Sequence, residues 1–177
     1  ETLEGVRRLD EILAARDDYA MTCVHYGHYD YSLDAGHWPF LRQNTQAFWD
    51  IVHPIVRQTE AAGCTYIHTP LGELTNDELL LSVVHHLNET CRAPYGMTPL
   101  NFHQSQLNAR PPLAADVMQT PSFTLAQRIE IAKQTIQTFC DHRVSKRSFS
   151  LKEGAFITPH EYRAALRFLD EHEGRAA

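Results

Sequence analysis

Two carboxylates, Glu1 and Asp30, stand where a metal-dependent enzyme would need them. Asp30 follows an apolar run, residues 19–26, that predicts a buried strand. Gly27 lies between this strand and Asp30, and we expect it to let the backbone leave the strand in a conformation that other residues avoid. Sites in parallel sheets and barrels are built at this end of the strands. Glu1 precedes a predicted helix, so the pair predicts a site for Mg²⁺ or Mn²⁺, which binds one or two protein carboxylates and leaves room for water and substrate.

The elements that must position these carboxylates alternate between strand and helix, which is typical of an α/β fold. Helix starts are marked by Ser/Thr-x-x-Glu/Gln capping boxes, and Gly63 is suited to end a helix. The backbone N–H groups around Gly27 could also bind a carboxylate. The predicted strands are 19–26, 64–68 and 99–103, and the predicted helices after the first are 45–62, 76–89, 124–139 and 159–173.

The composition narrows the possible partners. A net charge of −6 argues against a nucleic-acid partner, which would require a basic face. The four cysteines form no C-x-x-C pair and are typical of reduced thiols in a cytoplasmic protein. No apolar run reaches the roughly 18 residues of a membrane span. We therefore expect a cytoplasmic protein that binds a small molecule and neither nucleic acid nor membrane.

Five motifs, in this order along the chain, resemble those of the HpcH/HpaI aldolase and citrate lyase β-subunit family, which includes malyl-CoA and citramalyl-CoA lyases. Together they extend over nearly the whole chain. One departure is Gln104, which stands where the family has proline. The motifs are E-T-x-x-G-V at residues 1–6, G-x-x-D-x-S-x-x-x-G at 27–36, I-H-T-P-L-G-E-L-T-N-D at 67–77, F-H-Q-S-Q-L at 102–107 and G-A-F-I-T-P-H at 154–160.

The resemblance implies a TIM (β/α)8 barrel of the phosphoenolpyruvate/pyruvate type. Such barrels typically have about 250 residues, so we expect this chain of 177 residues to be the C-terminal half. Residues 1–140 would complete the barrel. Residues 141–177 would form a C-terminal extension and helix that packs on a neighbouring subunit of a homotrimer or homohexamer.

The resemblance also implies an activity. It predicts Mg²⁺-dependent cleavage or formation of a carbon–carbon bond in a hydroxy acid or its CoA thioester. Glu1 and Asp30 match the family's metal ligands, and Gly27, Thr69 and Pro70 would line the substrate pocket. The family's substrate-binding arginine would lie in the missing half.

Thr158 is the main departure from the family. It lies nearest the position of the aspartate that protonates the enolate in the thioester lyases. A threonine hydroxyl cannot easily act as a general acid near neutral pH, whereas a carboxyl group can. Thr158 instead begins a capping box with Pro159 at the first helical position. We therefore expect weak malyl-CoA cleavage, and a natural substrate protonated by water or by another residue such as His160.

Two other classes of function stay open. Several histidines fall near predicted strand ends and could bind Zn²⁺ in a metal-dependent hydrolase. A non-catalytic relative that keeps the barrel and its pocket is the second alternative. The bound metal distinguishes the hydrolase, with Zn²⁺ on histidines, from the lyase, with Mg²⁺ on carboxylates. Turnover of an acyl-CoA or a 2-oxo acid aldol distinguishes the lyase from a non-catalytic relative. The histidines concerned are His25, His28, His37, His68 and His103.

Overall fold

The computed structural model describes residues 1–107, 110–144, 150–152 and 155–173. None of the helices in these ranges is long and apolar enough to cross a membrane. The helices are α1 Leu3–Arg7, α2 Leu9–Ala14, α3 His28–Asp34, α4 Gln46–Ala61, α5 Asp77–Thr90, α6 Phe102–Leu107, α7 Leu125–Val144 and α8 Pro159–Glu173. The strands are β1 Cys23–His25, β2 Thr65–His68, β3 Gly96–Met97, β4 Ser150–Lys152 and β5 Ala155–Ile157.

A three-stranded parallel sheet, in the order β1-β2-β3, lies at the centre of the fold. Val24 pairs with Tyr66, and Ile67 pairs with Gly96. Helices connect consecutive strands, so all three strands end at the same edge. The loops that follow the strands therefore meet at one place. Strands β4 and β5 form a separate antiparallel pair.

The core consists of two clusters of buried side chains. The larger one is formed around Phe48 and Trp49 of α4, Tyr66 of β2 and Leu87 of α5. Its members lie at the spacing expected for one apolar face of each helix. The smaller cluster joins Trp38 to α7 and α8, with Ala132, Ala165 and Phe168 among its buried members.

The alternation of strands and helices predicted from the sequence is confirmed as a mixed α/β fold, but several boundaries differ. β1 has three residues where a strand over 19–26 was expected, because only three of them have a partner in β2. Asp30 lies in the first turn of α3 and not in a loop. The strand expected over 99–103 is wrong: β3 ends at Met97, and Phe102 begins α6.

The predicted helix ends are mostly confirmed by their hydrogen bonds. Gly63 follows α4 with φ +70°, as a C-terminal glycine should. The Thr124 hydroxyl accepts from the Gln127 N–H at 3.2 Å, and the Gln127 side chain accepts in return from the Thr124 N–H at 2.9 Å. At α5 the cap is Asn76, one residue after the expected Thr75, and its side chain accepts from Leu79.

Helix α8 packs on α7 and α3 of the same chain. Phe139 of α7 stacks on Tyr162 of α8, with ring centroids 4.4 Å apart. The Arg167 guanidinium donates to the carbonyl of Leu33 at 3.3 Å. These contacts place α8 beside α3, at the edge of the sheet where the three parallel strands end. We call this edge the carboxyl edge.

Candidate active site

Glu1 and Asp30 both lie near the N-terminal end of α3. The Leu3 N–H donates to the Asp34 carboxylate at 2.7 Å, which ties the start of the chain to α3. The Glu1 side chain then lies over Gly27: a Cβ atom placed on Gly27 would be 2.7 Å from Glu1 Cγ. Asp30 lies in the first turn of the helix that Gly27 caps.

The reason for glycine at position 27 differs from the one expected. Gly27 has φ −86° and ψ 85°, so its φ is open to any residue. The expectation of a glycine-only backbone conformation is therefore wrong. A Cβ at this position would require the Glu1 side chain to move. Glycine at position 27 thus lets the Glu1 side chain lie against the start of α3.

Asp30 is in hydrogen-bonding contact with the C-terminal helix. Its Oδ1 lies 2.9 Å from Nε2 of His160, and the two side chains are 48% and 31% exposed. One Asp30 oxygen is therefore held by α8, while about half of the side chain stays open to solvent. Thr158, the residue nearest the family's proton donor, begins α8 two residues earlier. It is 5% exposed.

A cavity of about 190 Å³ lies beside this contact. The segments after β1 and β2 form two of its walls, and α8 contributes Glu161. The residues that line it are His28, Tyr29, Phe40, Leu41, Arg42, Gln43, Leu71, Gly72, Glu73 and Glu161. Thr69 and Pro70 do not line it: the Thr69 hydroxyl is buried and accepts from the His28 N–H at 3.4 Å, and the Pro70 carbonyl accepts from Gln43 at 2.8 Å.

Glu161 is a carboxyl group whose surroundings favour the protonated form. It closes the capping box of α8, since Oε2 accepts from the N–H of Thr158 at 2.7 Å and from its hydroxyl at 2.9 Å. Burial raises the pKa of Glu161, and the two hydrogen bonds from Thr158 offset only part of that effect. Burial also raises the pKa of the Tyr29 hydroxyl, and the negative charge of Glu161 raises it further. Each group therefore keeps its proton to a higher pH than the same group would in water.

Arg42 brings a permanent positive charge to the cavity. Its Nη2 lies 2.7 Å from Oε1 of Glu73. Asn76 donates to the other Glu73 oxygen at 2.8 Å, so Glu73 is fixed from both sides. The Arg42 side chain is still 52% exposed, which leaves donors free for an anionic ligand.

Two of the histidines near the strand ends are buried and neutral. His28 Nε2 is 2.9 Å from the Leu41 carbonyl, which can only accept, so Nε2 carries the proton and Nδ1 accepts from Ser32. Burial lowers the pKa of His28 to about 4. His68 accepts at Nδ1 from the Tyr66 hydroxyl at 3.0 Å, and burial lowers its pKa to about 3. Both imidazoles support the loops of the site.

The other three histidines predicted near strand ends each contact a different residue. His25 is exposed, with Nε2 3.5 Å from the Thr98 hydroxyl. His37 packs its ring on Tyr31. His103 bonds Asp77 at 2.8 Å. Among the described residues, no group of three or more His, Cys, Asp or Glu side chains is arranged to hold a metal ion.

Sequence reasoning missed Glu161, Tyr29 and Arg42 as site residues. Glu161 was recognised as a capping residue, and its position three residues after Thr158 was the one signal that a carboxyl group lies near the family's acid position. Tyr29 lies next to Asp30, but nothing in the sequence shows which neighbour of a ligand faces a cavity. Arg42 carries no local signal, because only the packing of residues 40–43 against the loop after β2 brings it there.

No protein-family model matches this sequence, and no match is found among curated proteins. A solved structure, "Haloferax volcanii Malate Synthase Native at 3mM Glyoxylate", matches 94% of the chain with a TM-score of 0.54 and 15% sequence identity. This chain covers 48% of that protein, and so spans about half its length. Malate synthase is a TIM barrel. At this identity the likeness establishes the fold alone: the chain has a mixed α/β fold similar to part of a malate synthase.

Proposed function

We propose that this chain is the C-terminal half of a TIM barrel that makes or breaks a carbon–carbon bond next to a carbonyl group. The substrate is a hydroxy acid or its CoA thioester. The observation that carries the proposal is that the Glu1 side chain lies against Gly27, the residue that caps the helix whose first turn holds Asp30. The likeness to a malate synthase supports it, because the solved neighbour was studied with glyoxylate, a 2-oxo acid.

The residues at Gly27 fit a hard divalent cation. Glu1 and Asp30 would hold it at the N-terminal end of α3. Mg²⁺ commonly uses one or two protein carboxylates and keeps several waters, so a third protein ligand is not required. When bound, the metal would polarise the carbonyl group of a 2-oxo acid such as glyoxylate or pyruvate.

The chain's own residues would bind the anionic parts of the substrate. Arg42 lies at the cavity, held in place by Glu73, and can pair with a carboxylate or stabilise the enolate. This arginine is additional to the one that the family resemblance places in the missing half. The half-buried Tyr29 can donate a hydrogen bond from its hydroxyl to the same anion.

Glu161 is the proton donor in this proposal. In the cleavage direction the substrate hydroxyl gives up its proton to solvent water as the new carbonyl forms, and the carbon–carbon bond breaks. The electron pair of that bond moves into an enolate on the departing fragment, and a proton must then be delivered to its carbon. Glu161 faces the cavity and has a raised pKa, so it can supply that proton where Thr158 cannot.

A panel of substrates tests the proposal on the full-length protein. Malyl-CoA, citramalyl-CoA and 4-hydroxy-2-oxo acids are assayed with Mg²⁺ and with a chelator. We expect metal-dependent release of glyoxylate or pyruvate from at least one of them, and slow turnover of malyl-CoA. The Thr158→Asp variant, assayed in parallel, should turn over malyl-CoA faster. Fast malyl-CoA cleavage by the unmodified protein would contradict the substrate expectation, and inactivity with every compound would favour a non-catalytic relative.

A hydrolase built on histidine-bound Zn²⁺ is the weaker candidate. His28 and His68 each use both ring nitrogens in hydrogen bonds within the protein, so neither has a free nitrogen for a metal. The remaining three histidines contact different partners.

A further inference from the structure

A second concave site lies away from the carboxyl edge, between α4 and α5. It is a groove of about 730 Å³, which we call the histidine groove. The segment 113–118 crosses it as a strap that is bonded at both ends: the Leu113 N–H donates to the Leu81 carbonyl at 3.2 Å, and the Met118 N–H donates to the Asn44 carbonyl at 2.8 Å. The groove is thus a built feature, walled by two helices and the strap.

Most of the ionisable side chains in the groove are arginines, which are positively charged, or histidines, which become positively charged when protonated. Helix α4 contributes His53 and Arg57, α5 contributes His85 and His86, and Arg92 follows α5. Within the described part of the chain, neither the Arg57 guanidinium nor the Arg92 guanidinium has a side-chain hydrogen bond or ion pair. Two carboxylates also line the groove: Glu89, whose Oε1 lies 3.5 Å from His85 Nε2, and Asp116 of the strap.

The strap also contacts the floor of the groove. His86 is 9% exposed, and its ring is hydrogen-bonded to the backbone of Ala115 in the strap. The Trp49 ring packs behind it, with its centroid 5.4 Å from that of His86. The groove therefore has an aromatic and imidazole floor beneath its exposed arginines.

We propose that the histidine groove binds a phosphate group, with Arg57 and Arg92 as the two principal cationic contacts and the histidines as donors beneath them. Paired guanidiniums suit phosphate oxygens because they offer several donors in a fixed plane. The groove's volume exceeds the size of a free phosphate ion and falls in the range of pockets for small organic ligands, so a phosphate ester of nucleotide size fits it.

The binding of an anion whose charge does not change with pH should strengthen as the pH falls. Burial lowers the pKa of His53, and Arg57 lowers it further, while Asp50 acts in the opposite direction. Burial and His85 lower the pKa of His86, against the effect of Glu89. An anion held among these groups stabilises the protonated imidazoles, so protonation and anion binding favour each other.

Calorimetric titration of the protein with inorganic phosphate and with adenosine monophosphate tests this site. We expect saturable binding, weakened at least about tenfold in an Arg57→Gln, Arg92→Gln double variant because two charge-assisted contacts are lost. Both arginines are exposed, so the variant should fold. The matched control is Arg163→Gln, an exposed arginine of α8, which should bind like the wild type. Tighter binding of the nucleotide than of phosphate would identify a phosphate ester as the ligand, and the reverse order would identify the free ion.

Sulfate keeps its charge between pH 8 and pH 6, so the same titration with sulfate isolates the contribution of the histidines. We expect tighter sulfate binding at pH 6 than at pH 8, and a smaller difference in a His53→Gln variant. Absence of saturable binding of any of these anions, or equal affinity in the double variant and the wild type, would overturn the proposal. Because the groove is separate from the carboxyl edge, these results do not depend on whether the chain is a lyase.

Discussion

The Nε2 atom of His160 lies 2.9 Å from Oδ1 of Asp30, and this contact joins the first turn of α8 to the first turn of α3. Asp30 is the residue that the sequence places at the metal site, and the neighbour of His160 is Glu161, which lines the cavity. One turn of α8 therefore contacts the Asp30 carboxylate and also supplies a carboxyl group to the cavity.

The first prediction concerns the carboxylate of Asp30. Replacement of Asp30 by Asn should weaken Mg²⁺ binding at least about tenfold, because it removes one of only two charged ligands. His160→Gln should keep Mg²⁺ binding, since it removes only the competing partner of Asp30. Isothermal titration measures both, with Asp10→Asn on α2 as a control for a lost surface charge. Unchanged Mg²⁺ affinity in Asp30→Asn would rule out the proposed ligand.

The second prediction concerns Glu161. Glutamine at this position keeps the capping box, so Glu161→Gln should fold normally but lower kcat by about 10²–10⁴-fold, the usual contribution of a general acid. In the wild type, kcat should fall as the pH rises through the raised pKa of Glu161, because the acid form is the one that donates the proton. That decline should be absent in Glu161→Gln.

A matched variant separates catalysis from stability at the same helix end. Thr158→Ala breaks the capping box but leaves the carboxyl group, so it should cost about 1 kcal/mol of stability and retain most of the activity. The reverse pattern, an active Glu161→Gln and an inactive Thr158→Ala, would show that this turn has only a structural role.

The third prediction concerns stability in acid. Burial lowers the pKa of His28 to about 4 and that of His68 to about 3, below the value of about 6.5 in the unfolded chain. Between these values the unfolded state binds more protons, so stability should be complete above pH 6.5 and fall as the pH decreases towards 4. For His28 the loss is of the order of 3 kcal/mol, since each pKa unit corresponds to about 1.4 kcal/mol.

Urea unfolding at pH 7.0, 5.5 and 4.5 measures this dependence. His28→Gln should be less stable at pH 7 but should show a shallower decline with falling pH. His25→Gln is the matched control, because His25 is exposed and its replacement should leave the slope unchanged. Equal slopes for the wild type and His28→Gln would contradict the assignment of a neutral His28.

The sequence predicted the features that depend on neighbouring residues and missed those that depend on distant ones. The capping box from Thr158 to Glu161 and the C-terminal Gly63 were identified because their hydrogen bonds and φ angles are local. The length of β1 was not, because its pairing with β2 sets it. Asp30 was recognised from its motif, but its contact with His160 spans most of the chain and has no sequence signal.

The residues that line the cavity show the same difference between what neighbouring residues determine and what tertiary packing determines. Thr69 and Pro70 were placed at the end of the right strand, yet they pack beneath the cavity while Leu71 and Glu73 line it. Position after a strand identifies a segment of about five residues, and only tertiary packing decides which side chains face inward. Glu161 was therefore interpreted as a cap and not as an acid.

The fourth prediction concerns assembly. Leu166 of α8 is 42% exposed, and the exposed apolar side chains Phe102 and Phe123 lie elsewhere on the chain. We expect the full-length protein to be a homotrimer or homohexamer that covers part of this apolar surface, with residues near position 158 close to another subunit. Light scattering at micromolar concentration gives the mass directly, and a monomer would contradict the prediction.

The most direct test of the proposed site is to locate the metal. Crystals of the full-length protein grown with Mn²⁺ and glyoxylate would show the ion by its anomalous scattering. The proposal predicts one ion bound by the carboxylates of Glu1 and Asp30, next to the cavity that Arg42 and Glu161 line. An ion bound by histidines, or an ion at any place other than Gly27, would contradict it.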